Sequence, residues 1–354
     1  MRVIVGCLVI GALAGCGTST SSPTSSPSAS SNGHAVVVVS GFAAQSPFTT
    51  PTQGCTSGAP AGLSDSGLRA SLLKAGYQVY TSPAQIGTGQ ISSFTGPGAF
   101  SNCPTALPES MTVNAIAPID EGGTKLSTFI NYLNAQYGVT SVDIVAHSMG
   151  GLFSRSGIKS LKDNASAVAV RSFITIGTPW EGSFSENIAS GAVPASACGN
   201  QASCLDVIEQ VQKAAKTGEV KAPEQLSTKF LDGADGKSGW NQAQGDALAG
   251  IPVTLFAGNL LKLAGGDPRV WPNDGLIQET SALATGISDT VLPHRQCLVR
   301  PDVHSAFFTD ALKLKTDQAL TYDPVVLEGV NAALANADKA LTTPNRQGCP
   351  TTTQ

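Results

Sequence analysis

Residues Val142 to Ile158 constrain the fold more than any other stretch of the chain. Val142-Asp143-Ile144-Val145 reads as a buried strand, and Leu152-Phe153-Ser154-Arg155-Ser156-Gly157-Ile158 has helical spacing. Between them stands Ala146-His147-Ser148-Met149-Gly150-Gly151. A strand that turns sharply into a helix strains the residue at the corner, so the positions two before and two after it must be small. Here they are Ala146 and Gly150, flanking Ser148. Such a corner lifts the serine hydroxyl above the sheet and aims the positive end of the helix at it. A serine without a role in a Gly-rich turn is the alternative, and the combination of strand, corner and helix argues against it.

The chain has 354 residues, 41% hydrophobic and 13% charged. That length suffices for one large α/β domain with a sizeable core. The net charge is -4 and no basic cluster is present, so nucleic acid is not an expected partner. At the N-terminus, Arg2 precedes an apolar run from Val3 to Ala14 that is too short for a transmembrane helix. The run ends in Leu13-Ala14-Gly15-Cys16, which resembles a bacterial lipobox. That resemblance implies cleavage before Cys16 and lipidation of its thiol, with an ordinary signal peptide as the alternative. Residues 1–15 are therefore read as a lipoprotein signal peptide. Residues 16–32, almost all Ser, Thr, Pro and Gly, are read as a tether, and 33–354 as the catalytic domain. The expected location is the extracytoplasmic side of a membrane, held by an N-terminal lipid anchor, with secretion as a variant.

Of eight cysteines, Cys7 belongs to the leader and Cys16 to the lipobox. Cys55, Cys103, Cys198, Cys204, Cys297 and Cys349 remain, an even set that fits three disulfides in an exported protein. Six cysteines leave many pairings open; chain order makes Cys55–Cys103, Cys198–Cys204 and Cys297–Cys349 the simplest. No C-x-x-C occurs and the four histidines are scattered, so a metal site is not expected.

Strands are expected at Ala35 to Val39, Tyr77 to Tyr80, Val168 to Ile176 and Val253 to Ala257. Helices are expected at Leu68 to Ala75, Lys125 to Tyr137, 305–319 and 324–341, with a long loop over 81–110. Alternating strands and helices imply a mostly parallel central sheet with helices on both faces. Ligands in such sheets bind at the carboxyl ends of the strands. Residues 181–250 interrupt the alternation as a helical insertion that contains Cys198 and Cys204.

A serine hydroxyl needs a histidine to take its proton and a carboxylate to orient that histidine. On a strand–corner–helix scaffold these follow in the order Ser, acid, His. His294 and His304 both follow Ser148; His147, inside the corner, is read as pointing elsewhere. His304 is favoured because it precedes the apolar run Ala306-Phe307-Phe308, whereas His294 closes an expected strand at Thr290-Val291-Leu292. Asp274, in Trp271-Pro272-Asn273-Asp274-Gly275-Leu276, is the first candidate acid, with Asp289 and Asp302 in reserve. A developing oxyanion needs two backbone donors. Met149 follows the nucleophile, and Phe42 lies in Ser40-Gly41-Phe42 after the first valine strand.

Together, Ser40-Gly41-Phe42, Ala146-His147-Ser148-Met149-Gly150-Gly151, Ile176-Gly177-Thr178-Pro179-Trp180-Glu181-Gly182-Ser183 and Asn273-Asp274-Gly275-Leu276 resemble the bacterial lipase and esterase branch of the α/β-hydrolases over roughly residues 35–320. The resemblance implies an α/β-hydrolase fold with a helical lid at 181–250. It also implies hydrolysis of carboxylic esters of lipids through an acyl-Ser148 intermediate, with Asp274 of N-D-G as the acid and no organic cofactor. Ala146 replaces the first Gly of G-x-S-x-G, and Ser40 stands where related chains have the His of H-G-x. Ser305-Ala306-Phe307 follows His304, so the structural calcium of some relatives is not carried over. Cys297 and Cys349 are placed like a bridge that ties down the histidine region in fungal B-type lipases. Hydrolysis of polyesters or cell-envelope esters, and a non-catalytic surface lipoprotein, are the competing readings.

Overall fold

The run Ala35-Val36-Val37-Val38-Val39 is buried on both sides because it lies inside a parallel sheet covered by helices on each face. The computed structural model describes residues 33–57, 64–96, 98–216, 222–234, 236, 238–342 and 346–350. The expected leader, Cys16 and the tether lie outside the described residues. Six strands form the sheet: β1 (His34–Val39), β2 (Val79–Thr81), β3 (Ser141–His147), β4 (Ala169–Ile176), β5 (Val253–Gly258) and β6 (Arg295–Arg300). Their order is β6-β5-β4-β3-β1-β2, and every pairing is parallel. All carboxyl ends therefore point one way. The register pairs Val39 with Ala146, His147 with Ile176, Ile176 with Phe256 and Gly258 with Arg300. The chain steps outward from β1 to β2, then crosses back to β3. The strand order thus reverses at β1, where a ligand crevice opens in such sheets.

The main helices are α1 (Ser64–Lys74), α2 (Ile119–Tyr137), α3 (Gly150–Asp163), α4 (Phe184–Ala189), α5 (Ala202–Lys216), α6 (Ala306–Leu312) and α7 (Pro324–Ala335). Val37, Val39 and Ile144 share one apolar cluster with Leu126, Phe129, Ile130 and Leu133 of α2 and Leu152 and Phe153 of α3. Val36, Val38, Val145 and Ile176 face the other way, against Leu68 and Leu72 of α1 and Val326, Val330 and Leu334 of α7. The period of two along each strand thus feeds two helix layers. This is the α/β-hydrolase fold, with a mostly parallel sheet between helices.

α2 starts six residues before the expected Lys125. Its first turns contain Gly122 and Gly123, which lie before the expected helix start. In the structure a Cβ on Gly122 would lie 2.4 Å from the Phe153 ring, and one on Gly123 would lie 2.4 Å from Ser156. The glycines are there for close packing of α2 on α3. At the other edge, Thr290-Val291-Leu292 lies in turns, and the sixth strand is Arg295–Arg300. That strand is polar because it is a sheet edge, which hides its period in the sequence. The expected helix over 305–319 is shorter, because Lys313 closes α6 in the left-handed region.

The insertion 181–250 divides into two parts. Phe184, Ile188, Val193, Ala197, Cys198, Cys204 and Ile208 form a satellite cluster with Val270 and Trp271, and the Trp271 indole donates to the Ala197 carbonyl at 3.0 Å. By contrast, Leu231, Trp240 and Leu248 belong to the main core. Buried Arg155 of α3 lies between the Trp180 and Trp240 rings, 5.2 and 5.4 Å from their centroids, and donates to the Asn241 side chain and carbonyl. Asn241 in turn donates to the Trp180 carbonyl and to Asp232. Leu205 is exposed, and the side chain of Val211 lies outside the described residues.

Disulfides join Cys55 to Cys103, Cys198 to Cys204 and Cys297 to Cys349. They close 48, 6 and 52 residues of chain, and by chain entropy the two long loops contribute roughly 4 kcal/mol each. Three such bonds are those of an oxidising, extracytoplasmic compartment. Among the described residues no helix is long and apolar enough to cross a membrane.

Candidate active site

Ser148 sits at the corner between β3 and α3 with φ 57, a left-handed backbone that non-glycine residues seldom adopt. Two hydrogen bonds hold it there. Its amide donates to the Ile176 carbonyl at 2.9 Å, and the Thr178 hydroxyl donates to its carbonyl at 2.8 Å. Ala146 is fully buried, so the extra methyl at the position usually held by Gly is absorbed in the core.

His304 arrives from the loop after β6 and Asp274 from the long loop after β5. The Ser148 hydroxyl lies 2.9 Å from His304 Nε2. His304 Nδ1 lies 2.7 Å from Asp274 Oδ2. A carboxylate can only accept, so Nδ1 carries the proton and Nε2 is free to accept from the serine. The other carboxylate oxygen, Oδ1, accepts from the amides of Leu276 at 2.9 Å and Ile277 at 2.7 Å. The His304 amide donates to the Asp274 carbonyl at 2.8 Å. Gly275 has φ 102, the left-handed turn that brings those amides round to the carboxylate. Asp274, His304 and Ser148 are all buried, the serine keeping 7% of its surface.

The loop after β1 lies against Ser148. A Cβ on Gly41 would sit 2.6 Å from Ser148 Cβ and 2.9 Å from the Met149 nitrogen, so only glycine fits. Among the described residues, no acceptor takes the amides of Phe42 or Met149. Met149 is also the N-cap of the 14-residue helix α3, whose dipole points its positive end there.

The other sequence candidates lie elsewhere. His294 precedes β6, its carbonyl accepting from the Val253 amide at 2.7 Å. That is the amino end of the sheet, opposite Ser148. Asp289 binds Arg295 at 2.9 Å and Arg346 at 2.7 Å. Asp302 is buried beside Asp323, which pairs with Arg300 at 2.8 Å.

Two residues that the sequence reading left out belong to the neighbourhood. Thr178, in the G-T-P string, braces the Ser148 carbonyl. His147 does not point away: its ring centroid is 4.7 Å from that of His304. Its Nε2 lies 2.9 Å from the His304 carbonyl oxygen and donates to it. Desolvation pushes its pKa down to about 3, and the nearby His304 adds to the shift, so the ring is neutral. A histidine beside the serine was the available signal, but only the tertiary fold says which way it turns.

Chemically, this arrangement can deprotonate a serine as it attacks, hold the imidazolium that forms, and offer two amides to a developing oxyanion. That is nucleophilic acyl transfer, to water or to another hydroxyl. Among the described residues no cluster of His, Cys, Asp or Glu could hold a metal ion.

A family model described as lecithin:cholesterol acyltransferase matches residues 120–203, which span α2, the Ser148 corner and the start of the insertion. No curated protein matches. Among solved structures, a lipase of Bacillus licheniformis in mature form is 17% identical, covering 70% of this chain and 78% of its own at a TM-score of 0.41. A Listeria innocua gene product is 16% identical, covering 85% and 93% at 0.41. A thermophilic esterase from Thermogutta terrifontis, malate bound, is 14% identical, covering 86% and 90% at 0.39. At such low identities and TM-scores these likenesses carry no substrate to this chain.

Asp302 gives the site's surroundings a pH dependence. Burial, a hydrogen bond with Asp323 and the charges of Asp323 and Asp317 push its pKa up to about 7, against the opposing charge of Arg300. An unfolded chain releases that proton near pH 4 (about 3.9 for Asp), so the folded state binds it more tightly. The resulting stability is complete below about pH 4 and is lost as pH rises through about 7. Melting temperatures across this window should therefore fall more steeply for the wild type than for Asp302→Asn, whose amide does not titrate.

Proposed function

We propose that this protein is a serine hydrolase of carboxylic esters, a lipase or carboxylesterase acting on acylglycerols or similar acyl esters. Ser148 is the nucleophile, His304 the general base and then acid, Asp274 the residue that orients it, and the amides of Met149 and Phe42 the oxyanion donors. The observation that carries this reading is the chain of hydrogen bonds from Ser148 through His304 to Asp274, at 2.9 and 2.7 Å. It ends at the carboxyl edge of the sheet beside two uncommitted amides. Ser148 attacks the ester carbonyl while His304 Nε2 takes its proton. The tetrahedral oxyanion collapses to acyl-Ser148 as His304 returns the proton to the leaving alcohol. Water then repeats the sequence and frees the acid. The match to a lecithin:cholesterol acyltransferase model favours a second reading, transfer of the acyl group to an alcohol; an added alcohol acceptor in the assay separates the two.

We extend the proposal to location. Cys16 carries a lipid anchor and 16–32 tethers the domain on the extracytoplasmic side of a membrane. The folded domain begins at the amino ends of the strands, so such an anchor attaches at the pole opposite the site. Cys16→Ser should move the protein from the membrane fraction to the soluble one, or leave an unprocessed precursor; an unchanged membrane fraction would exclude the lipobox.

The part of the insertion from 184 to 208, with its own small cluster, is the segment proposed to cover the site. If it does, rates with tributyrin should jump as the ester passes its solubility limit, because an opened cover transfers apolar surface into lipid. Smooth saturation through that limit would make the segment a fixed scaffold.

The triad is tested with a chain-length series of p-nitrophenyl esters. Ser148→Ala and His304→Ala should each lose on the order of 10⁶ in turnover, and Asp274→Ala on the order of 10⁴. His294→Ala should stay close to wild type. A severe loss at His294 with His304→Ala active would reverse the assignment, and the chain-length profile separates esterase from lipase.

A further inference from the structure

His304 is held at four points. Its Nδ1 donates to Asp274 Oδ2 at 2.7 Å, its Nε2 accepts from Ser148 at 2.9 Å, and its amide donates to the Asp274 carbonyl at 2.8 Å. The fourth is the carbonyl oxygen of His304, which accepts from His147 Nε2 at 2.9 Å. Only the last comes from the nucleophile's own corner and outlives acylation, when the serine oxygen leaves the base. The two Asp274 contacts tie His304 to the loop after β5. The His147 ring stands 4.7 Å from the His304 ring and tilted by 44°, and both rings are buried.

We propose that His147 is a positioning residue: fixed one residue before the nucleophile, it holds the base in register with Ser148 through the His304 carbonyl and keeps that register while the serine is acylated. The inference rests on the Ser148–His304–Asp274 reading. The carbonyl can only accept, so the proton of His147 sits on Nε2. Burial keeps the ring uncharged, with a pKa lowered to about 3, so no second cation stands beside His304 when it takes the serine's proton. A base displaced by a fraction of an ångström loses rate in the chemical step and leaves substrate binding alone. The effect should therefore fall on kcat and spare KM.

Two variants separate the donor from the ring. His147→Phe keeps a flat ring and removes the donor. His147→Gln places an amide nitrogen the same number of bonds from the backbone as Nε2 and restores the donor. Each is assayed with p-nitrophenyl butyrate, and rates are expressed per site titrated by a fluorophosphonate, so that misfolded protein is not counted. The expected result is a fall in kcat of at least about tenfold for His147→Phe with KM within about twofold, and recovery of most of it in His147→Gln. The rate of Ser148 phosphonylation should follow the same order. Wild-type kcat per titrated site in His147→Phe, a KM that rises in step, or a Gln variant no better than Phe would overturn the role. Wild type that takes no fluorophosphonate at Ser148 would instead overturn the triad reading, and this inference with it.

Discussion

The left-handed backbone of Ser148 is the constraint around which the rest is arranged. At φ 57 a serine costs about 1–2 kcal/mol relative to ordinary helical or extended geometry. The fold holds it there from three strands. β3 leads into it, the carboxyl end of β4 accepts its amide, and Gly41 after β1 packs against its Cβ. Thr178 closes the set by bonding its carbonyl. The strained corner raises the hydroxyl and, in the same turn, leaves the Met149 amide at the head of α3 without an acceptor among the described residues. The raised hydroxyl and the open amide are thus two products of one backbone conformation.

Strand polarity does the remaining assembly. With six parallel strands in register, the loops after β1, β3, β4, β5 and β6 emerge at one edge, where they deliver Gly41, Ser148, Thr178, Asp274 and His304. The same polarity explains why His294 is excluded although it is only ten positions from His304: the length of β6 separates them. The Cys297–Cys349 bond and the Asp289–Arg346 pair bind the C-terminal segment to this edge strand.

Much of this was legible in the sequence because it rests on local rules. The valine run, the small residues around Ser148 and the N-D-G turn are short patterns whose backbone geometry is set by adjacent residues. What escaped depends on tertiary contacts. Gly122 and Gly123 fell outside the expected helix, yet α3 packs closely on them. The edge strand Arg295–Arg300 is too polar to announce itself, and the β-branched Thr290-Val291 beside it suggested a strand that is a turn. His147 looked idle because the direction of a side chain leaving a strained corner is set by the loop it meets, which comes from 157 residues further along the chain. The insertion read as one segment, but Arg155 and Asn241 bind its second half into the core while the first half packs on Val270 and Trp271.

The central claim is covalent: the acyl group passes through Ser148. The most direct measurement is rapid acid quench of the enzyme during turnover of a p-nitrophenyl ester, followed by peptide mass mapping. The account predicts one acyl group per molecule, on the peptide that contains Ser148 and absent from Ser148→Ala. Turnover with the acyl group on another residue would contradict it.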